Sequence, residues 1–128
     1  MNCVCISGKA VGNAKKYTLK SGKDVAAFTL AVEDRYKDES GEVRHIIYVD
    51  CAAYGKVASY AKNIQKGDDV ELQGQLTTYN YVTKNGEKKW RTQVHISQMS
   101  SRSSHSYGEV EQAVSDVDEI MDMEGGEY

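Results

Sequence analysis

Through most of its first hundred residues the chain alternates polar and apolar side chains with a period of two, which restricts it to β-sheet. Successive strand side chains point to opposite faces. Over Arg44 to Gly55, Ile47, Val49 and Cys51 therefore fall on one face, with Arg44, Tyr48, Asp50 and Tyr54 on the other. Over Val70 to Tyr81, the residues Val70, Leu72 and Leu76 mark an inner face. Glu71, Gln73, Gln75 and Thr77 lead along the outer one to Tyr79 and Tyr81. Two strands thus present rings on their polar phase, with Lys and Arg close by in sequence. Flat rings beside cations on an open sheet suit the holding of unpaired nucleic-acid bases.

The alternation predicts strands near residues 2–8, 24–33, 43–54, 69–81 and 88–98, separated by turn residues. Asn85-Gly86 signals a tight hairpin between the last two, and Ser21-Gly22 and Ser40-Gly41 mark earlier turns. Between the third and fourth strands, Val57, Tyr60, Ala61 and Ile64 follow the spacing of an amphipathic helix, and Gly67 is placed to end it. Three strands, a helix and two strands is the element order of an all-β, five-stranded antiparallel Greek-key barrel of the OB type. Such barrels commonly bind oligonucleotides or oligosaccharides. Gly74, in mid-strand, suits the sharp bend a small barrel needs. Trp90 shares the phase of Val94 and Ile96 and is expected to pack in the hairpin or core.

At 128 residues the chain is one domain with an appendage. The expected division is a barrel over residues 1–99, a Ser-rich linker over 100–108 and an acidic, disordered tail over 109–128. The formal charge of −3 is unevenly spread: residues 1–102 carry all 16 Lys and Arg against 11 of the 19 acids, a net of +5. A basic body with an acidic tail is associated with nucleic-acid partners. No apolar run approaches the length of a membrane span, and residues 1–14 do not read as a signal peptide. The expectation is a soluble chain without membrane contact. Three cysteines (Cys3, Cys5 and Cys51) fit reduced thiols better than a disulfide framework. Cys3-x-Cys5, even with Cys51 or His45, lacks the spacing of a closed zinc site, so neither metal nor cofactor is expected. His45, His95 and His105 form no defensible acid–base–nucleophile set, so the reading excludes an enzyme.

Several segments together resemble the bacterial and phage single-stranded DNA-binding protein family. They are Met1 through Gly8, Ser21 through Ala31, Arg35-Tyr36-Lys37-Asp38, Tyr48 through Ala58, and Ile64 through Leu76. The resemblance covers residues 1–99, and the tail follows the same plan. It implies an OB-fold protein that coats single-stranded DNA without marked sequence preference during replication, recombination or repair. Base-stacking positions fall on Tyr36, Tyr48, Tyr54 and Tyr81, with Tyr79 beside them; strand phase independently supports Tyr48, Tyr54 and Tyr81. Cations near these rings, expected to follow phosphates, are Arg35, Lys37, Arg44, Lys56, Lys84, Lys88, Lys89 and Arg91, with Lys15 and Lys16 on an earlier loop.

The chain departs from the family in three places. Asp50 stands where the family often carries a base, the Asp-Pro-Glu piece before Lys15 is missing, and the tail lacks the usual Pro-Phe ending. The resemblance further implies a homodimer or homotetramer in a bacterial cytoplasm or nucleoid, encoded by host or phage. Recruitment of replication or recombination proteins falls to the tail residues Asp118, Glu119, Ile120, Met121, Asp122 and Tyr128. Two alternatives remain open from the residues alone: an OB-fold adaptor for proteins, and an RNA-binding OB protein.

Overall fold

The computed structural model describes residues 1–103, so the tail and its contacts predicted at Asp118 to Asp122 and Tyr128 lie outside the described residues. The elements in order are β1 (Val4–Ala10), β2 (Lys15–Thr18), β3 (Asp24–Asp38), β4 (Gly41–Tyr54), α1 (Lys56–Ala61), β5 (Asp69–Val82) and β6 (Lys88–Arg102). The sheet runs β1-β5-β6-β4-β3-β2, and a further β1–β3 pairing closes five of these strands into a barrel. β2, expected as loop, takes the same edge of β3 that β1 uses further along, pairing Lys15 with Ala27 and Tyr17 with Val25. Strand β6 runs to Arg102, through residues assigned above to the linker. β3 extends to Asp38, so Arg35, Tyr36 and Lys37 lie on a long hairpin rather than in a loop.

A closed ring of five strands cannot alternate direction throughout, so at least one neighbouring pair must be parallel. Here it is β4 with β6, joined through Cys51–Val94 and Ala52–His95, while the other barrel pairings are antiparallel as expected. Two glycines allow the backbones to meet where the barrel closes and bends. A Cβ at Gly8 would overlap the Ala31 carbonyl, and one at Gly74 the His95 carbonyl. Gly74 also sits at a register shift between β5 and β6, the bend anticipated for it.

The core fills from all five barrel strands, with Ala10, Ala26, Phe28, Leu30, Cys51, Val70, Leu72, Val94 and Ile96 buried together. Ala58, Ala61 and Ile64 cap this interior from α1 and the turn after it. The helix stops at Ala61 instead of reaching Gly67, because the next backbone groups find partners on the β1–β2 connection. Ala14 N–H donates to the Ile64 carbonyl at 2.9 Å, Lys66 N–H to Asn13 Oδ1 at 2.9 Å, and Gly67 N–H to the Ala10 carbonyl at 2.9 Å. Tyr60, read as part of the apolar helix face, is 45% exposed, and its hydroxyl accepts the Ser101 N–H at 3.1 Å.

The β3–β4 and β5–β6 hairpins run past the barrel, so inner-phase residues near their ends have no layer to bury them. Ile47, Leu76 and Trp90 are 46%, 53% and 65% exposed, which overturns their expected inner or core placement. The β5–β6 connection is five residues, Thr83 to Glu87, in which Gly86 takes φ 82° and its N–H reaches the Thr83 carbonyl at 2.9 Å. No helix among the described residues is long and apolar enough to cross a membrane.

Candidate nucleic-acid interface

Residues opposed across strands share a face, so the register builds the outer surface directly. Thr29 stands opposite Asp50, Ala27 opposite Ala52, and Val25 opposite Tyr54. Across the second hairpin, Thr77 faces Gln93, Tyr79 faces Arg91 and Tyr81 faces Lys89. Ala52 joins the two halves by lying beside His95. Small side chains at Ala27 and Thr29 make a low floor, and the large rings on either side make walls. The result is a groove of about 380 Å³, whose lining includes Lys15, Tyr17, Asp50, Tyr54, Tyr79 and Arg91.

The predicted rings do not all meet there. Tyr54 is half-buried, tilted against His95 with centroids 4.8 Å apart, and has Lys23 Nζ 5.9 Å from its ring centroid. Tyr79 and Tyr81 lie on the same face with centroids 6.2 Å apart, and Tyr81 is 39% exposed. Tyr48 shares the phase of Tyr54 but rests on a small second cluster of Val11, Ala31 and Ile46, with its hydroxyl buried. Tyr36 is half exposed at the tip of the β3–β4 hairpin, opposite Val43. Its phase is the reverse of Tyr48 and Tyr54, so the register does not bring it onto their face.

Tyr17 is the ring that sequence reasoning missed. Its strand has only four residues, Lys15-Lys16-Tyr17-Thr18, too short for alternation to show. The register sets Tyr17, Val25 and Tyr54 in one row across β2, β3 and β4. The Tyr17 phenol is raised above its usual pKa, first by burial and then by Tyr54. That of Tyr79 is raised too, first by burial and then by the negative charge of Asp50. Both hydroxyls therefore stay protonated, and able to donate, at neutral pH.

The cations divide into free-standing and tethered groups. Lys15 and Arg91 line the groove, and Lys89 follows on the same face of β6, opposite Tyr81. Lys37, Lys56 and Lys84 are exposed elsewhere on the hairpins and helix, and Lys88 falls in the phase of Trp90, on the reverse of the hairpin. Arg35 and Arg44 are tied down by an acid: Glu33 receives Arg35 Nε at 2.5 Å and Arg44 Nε at 2.7 Å. The Arg35 hydrogen bond, ahead of the Arg44 contact, holds the Glu33 carboxyl below its usual pKa. These three line a separate cleft beside β1, with Lys9, Asp69 and Arg102. Arg91 is likewise paired, its Nε 2.5 Å from Asp50 Oδ2.

A closed five-stranded barrel with one short helix between β4 and β5 is the architecture of an OB-fold protein. The model of the single-strand binding protein family matches residues 1–101, and the chain belongs to that family. Among its relatives, a single-stranded DNA-binding protein of Lactiplantibacillus plantarum is 31% identical over 99 residues, covering 77% of this chain and 48% of that one. Single-stranded DNA-binding protein A of Bacillus subtilis is 30% identical over 95 residues, covering 73% and 55%. The chain spans about half the length of the relatives it matches. Among solved structures, a deletion mutant of the Thermus aquaticus single-stranded DNA-binding protein superposes with a TM-score of 0.70 at 24% identity, over 82% of this chain and 52% of that one. The small single-stranded DNA-binding protein of Streptomyces coelicolor gives 0.63 at 22% identity, over 78% and 93%.

Proposed function

We propose that this protein binds and coats single-stranded DNA without marked sequence preference, serving replication, recombination or repair. The observation that carries the reading is the groove in which Tyr17, Tyr54 and Tyr79 stand over a floor of small side chains between Lys15 and Arg91. Every base offers a π-face, so rings in a row hold a strand of any sequence, and lysines and arginines neutralise its phosphates. Tyr54, Tyr79, Tyr81 and Tyr17 are the stacking residues of this proposal; Lys15, Lys89 and Arg91 are its nearest phosphate contacts. Tyr36, Lys37, Lys56, Lys84 and Lys88 extend the path along the hairpins, while Tyr48 supports the surface from beneath. Arg35 and Arg44 contribute less, because Glu33 holds them in a separate cleft beside β1. The role is that of a binding protein rather than an enzyme, working as a homodimer or homotetramer in a bacterial cytoplasm or nucleoid. Its tail, through Asp118 to Asp122 and Tyr128, recruits replication and recombination proteins.

Titration of the full chain with oligo-dT at two salt concentrations tests the reading. Binding that weakens with salt and collapses in the Tyr54→Ala, Tyr79→Ala double variant is the expected result. A response indifferent to salt, or unchanged binding by the double variant, refutes it. Preference for oligo-U over oligo-dT in competition would assign the groove to RNA instead.

A further inference from the structure

Asp50 is an acid inside a groove read as a seat for a polyanion. Its side chain is only 18% exposed and reaches partners on three other strands. Thr29 on β3 donates its hydroxyl to Oδ1 at 3.2 Å, Arg91 on β6 brings Nε to 2.5 Å from Oδ2, and Tyr79 on β5 lies within hydrogen-bonding reach. A bare carboxylate at this point would repel phosphodiesters. Held against Arg91, it does something else. A guanidinium carries five N–H donors in one rigid plane, and engaging Nε leaves four terminal donors fixed in direction. The backbone supplies little such fixing here, since β4 and β6 pair only through Cys51–Val94 and Ala52–His95. Asp50, next to Cys51, adds a side-chain tie across that seam.

Resting on the single-stranded DNA reading, we propose that Asp50 is a positioning residue: it anchors Arg91 by Nε so that the terminal guanidinium donors meet a phosphate of the bound strand. The cation that the groove needs on β4 is thereby supplied from β6 and oriented by an acid on β4.

The test is oligo-dT binding by the full chain, measured by fluorescence anisotropy over a salt series, with wild type, Arg91→Ala, Asp50→Ala, Asp50→Asn and the Asp50→Ala, Arg91→Ala double variant. Arg91→Ala is expected to weaken binding roughly tenfold and lower the salt slope by about one. Asp50→Ala should produce a loss of the same size and the same change in slope, and the double variant should bind no worse than Arg91→Ala alone. Asp50→Asn keeps an acceptor oxygen and should recover part of the loss, and it decides the matter in the same way if the alanine variant melts early. Tighter binding with a steeper slope in Asp50→Ala or Asp50→Asn would make the carboxylate a competitor of phosphate and overturn the proposal. Additive losses in the double variant would overturn it as well. Absence of binding by the wild type sinks the DNA reading itself; normal wild-type binding with an indifferent Asp50 sinks only the positioning role.

Discussion

Tyr48 and Tyr54 occupy the same pleat phase of β4, six residues apart, yet their surroundings differ. Tyr54 stands beside the low floor made by Ala27 and Thr29, while Tyr48 lies on Val11, Ala31 and Ile46. Alanine at Tyr54, Tyr79 or Tyr81 should therefore weaken oligo-dT binding by about 1–3 kcal/mol each, and at the exposed Tyr81 it should leave the melting temperature nearly unchanged. Tyr48→Ala should instead lose about 2 kcal/mol of stability in urea titration, since it removes packing from a half-buried site. Cys51 makes a separate residue-scale prediction. Burial, followed by the charge of Asp50, pushes its thiol from 9.0 up to about 12. The unfolded chain releases that proton first, so this contribution to stability is complete below pH 9 and is lost as pH rises towards 12. Urea titrations at pH 8 and pH 11 should show the alkaline loss, at up to about 1.4 kcal/mol per pH unit. Cys51→Ala should shrink the difference between the two pH values, whatever it costs in packing.

At the scale of elements, periodicity reports phase but not the layer that lies opposite. The phases of β4, β5 and β6 were legible because Val49, Cys51, Leu72, Val94 and Ile96 recur at every second position. Ile47, Leu76 and Trp90 keep that phase, yet they sit where the hairpins have outrun the barrel, a length no local pattern encodes. β2 was illegible because four polar residues carry no alternation, and Tyr17 went with it. The helix was overextended because Ile64 keeps helical spacing while its carbonyl is claimed by Ala14. The groove was half legible: Tyr54, Tyr79, Tyr81 and Arg91 could be read from phase, whereas the Asp50–Arg91 tie depends on a parallel β4–β6 contact between distant segments. Two substitutions check this account of the elements. Trp90→Ala should change stability by less than about 0.5 kcal/mol, because the ring is exposed on the reverse of the hairpin. Gly74→Val should cost about 3 kcal/mol in urea titration, because its Cβ meets the His95 carbonyl, which belongs to backbone and cannot swing aside.

Over the whole molecule, charge is segregated along the chain. Residues 1–103 hold all 16 Lys and Arg and 11 acids, while residues 104–128 hold the other 8 acids and no Lys or Arg. A net of −3 therefore becomes +5 when the chain ends at Ser103. The described barrel already internalises part of its positive charge through the Glu33–Arg35–Arg44 and Asp50–Arg91 groups. The lysines outside these groups, with the outward-facing donors of Arg91, are then the main attraction for a strand. An acidic segment tethered to such a surface acts on it at high local concentration, and so competes with the phosphates it resembles in sign. Removing residues 104–128 should accordingly tighten oligo-dT binding several-fold at about 0.02 M salt. The gain should shrink at about 0.3 M, where screening acts over a few ångströms. Anisotropy titrations of the full and shortened chains across that range measure both effects. A shortened chain that binds no better at low salt would show that the tail leaves the basic surface alone, and would place its role entirely in contacts with other proteins.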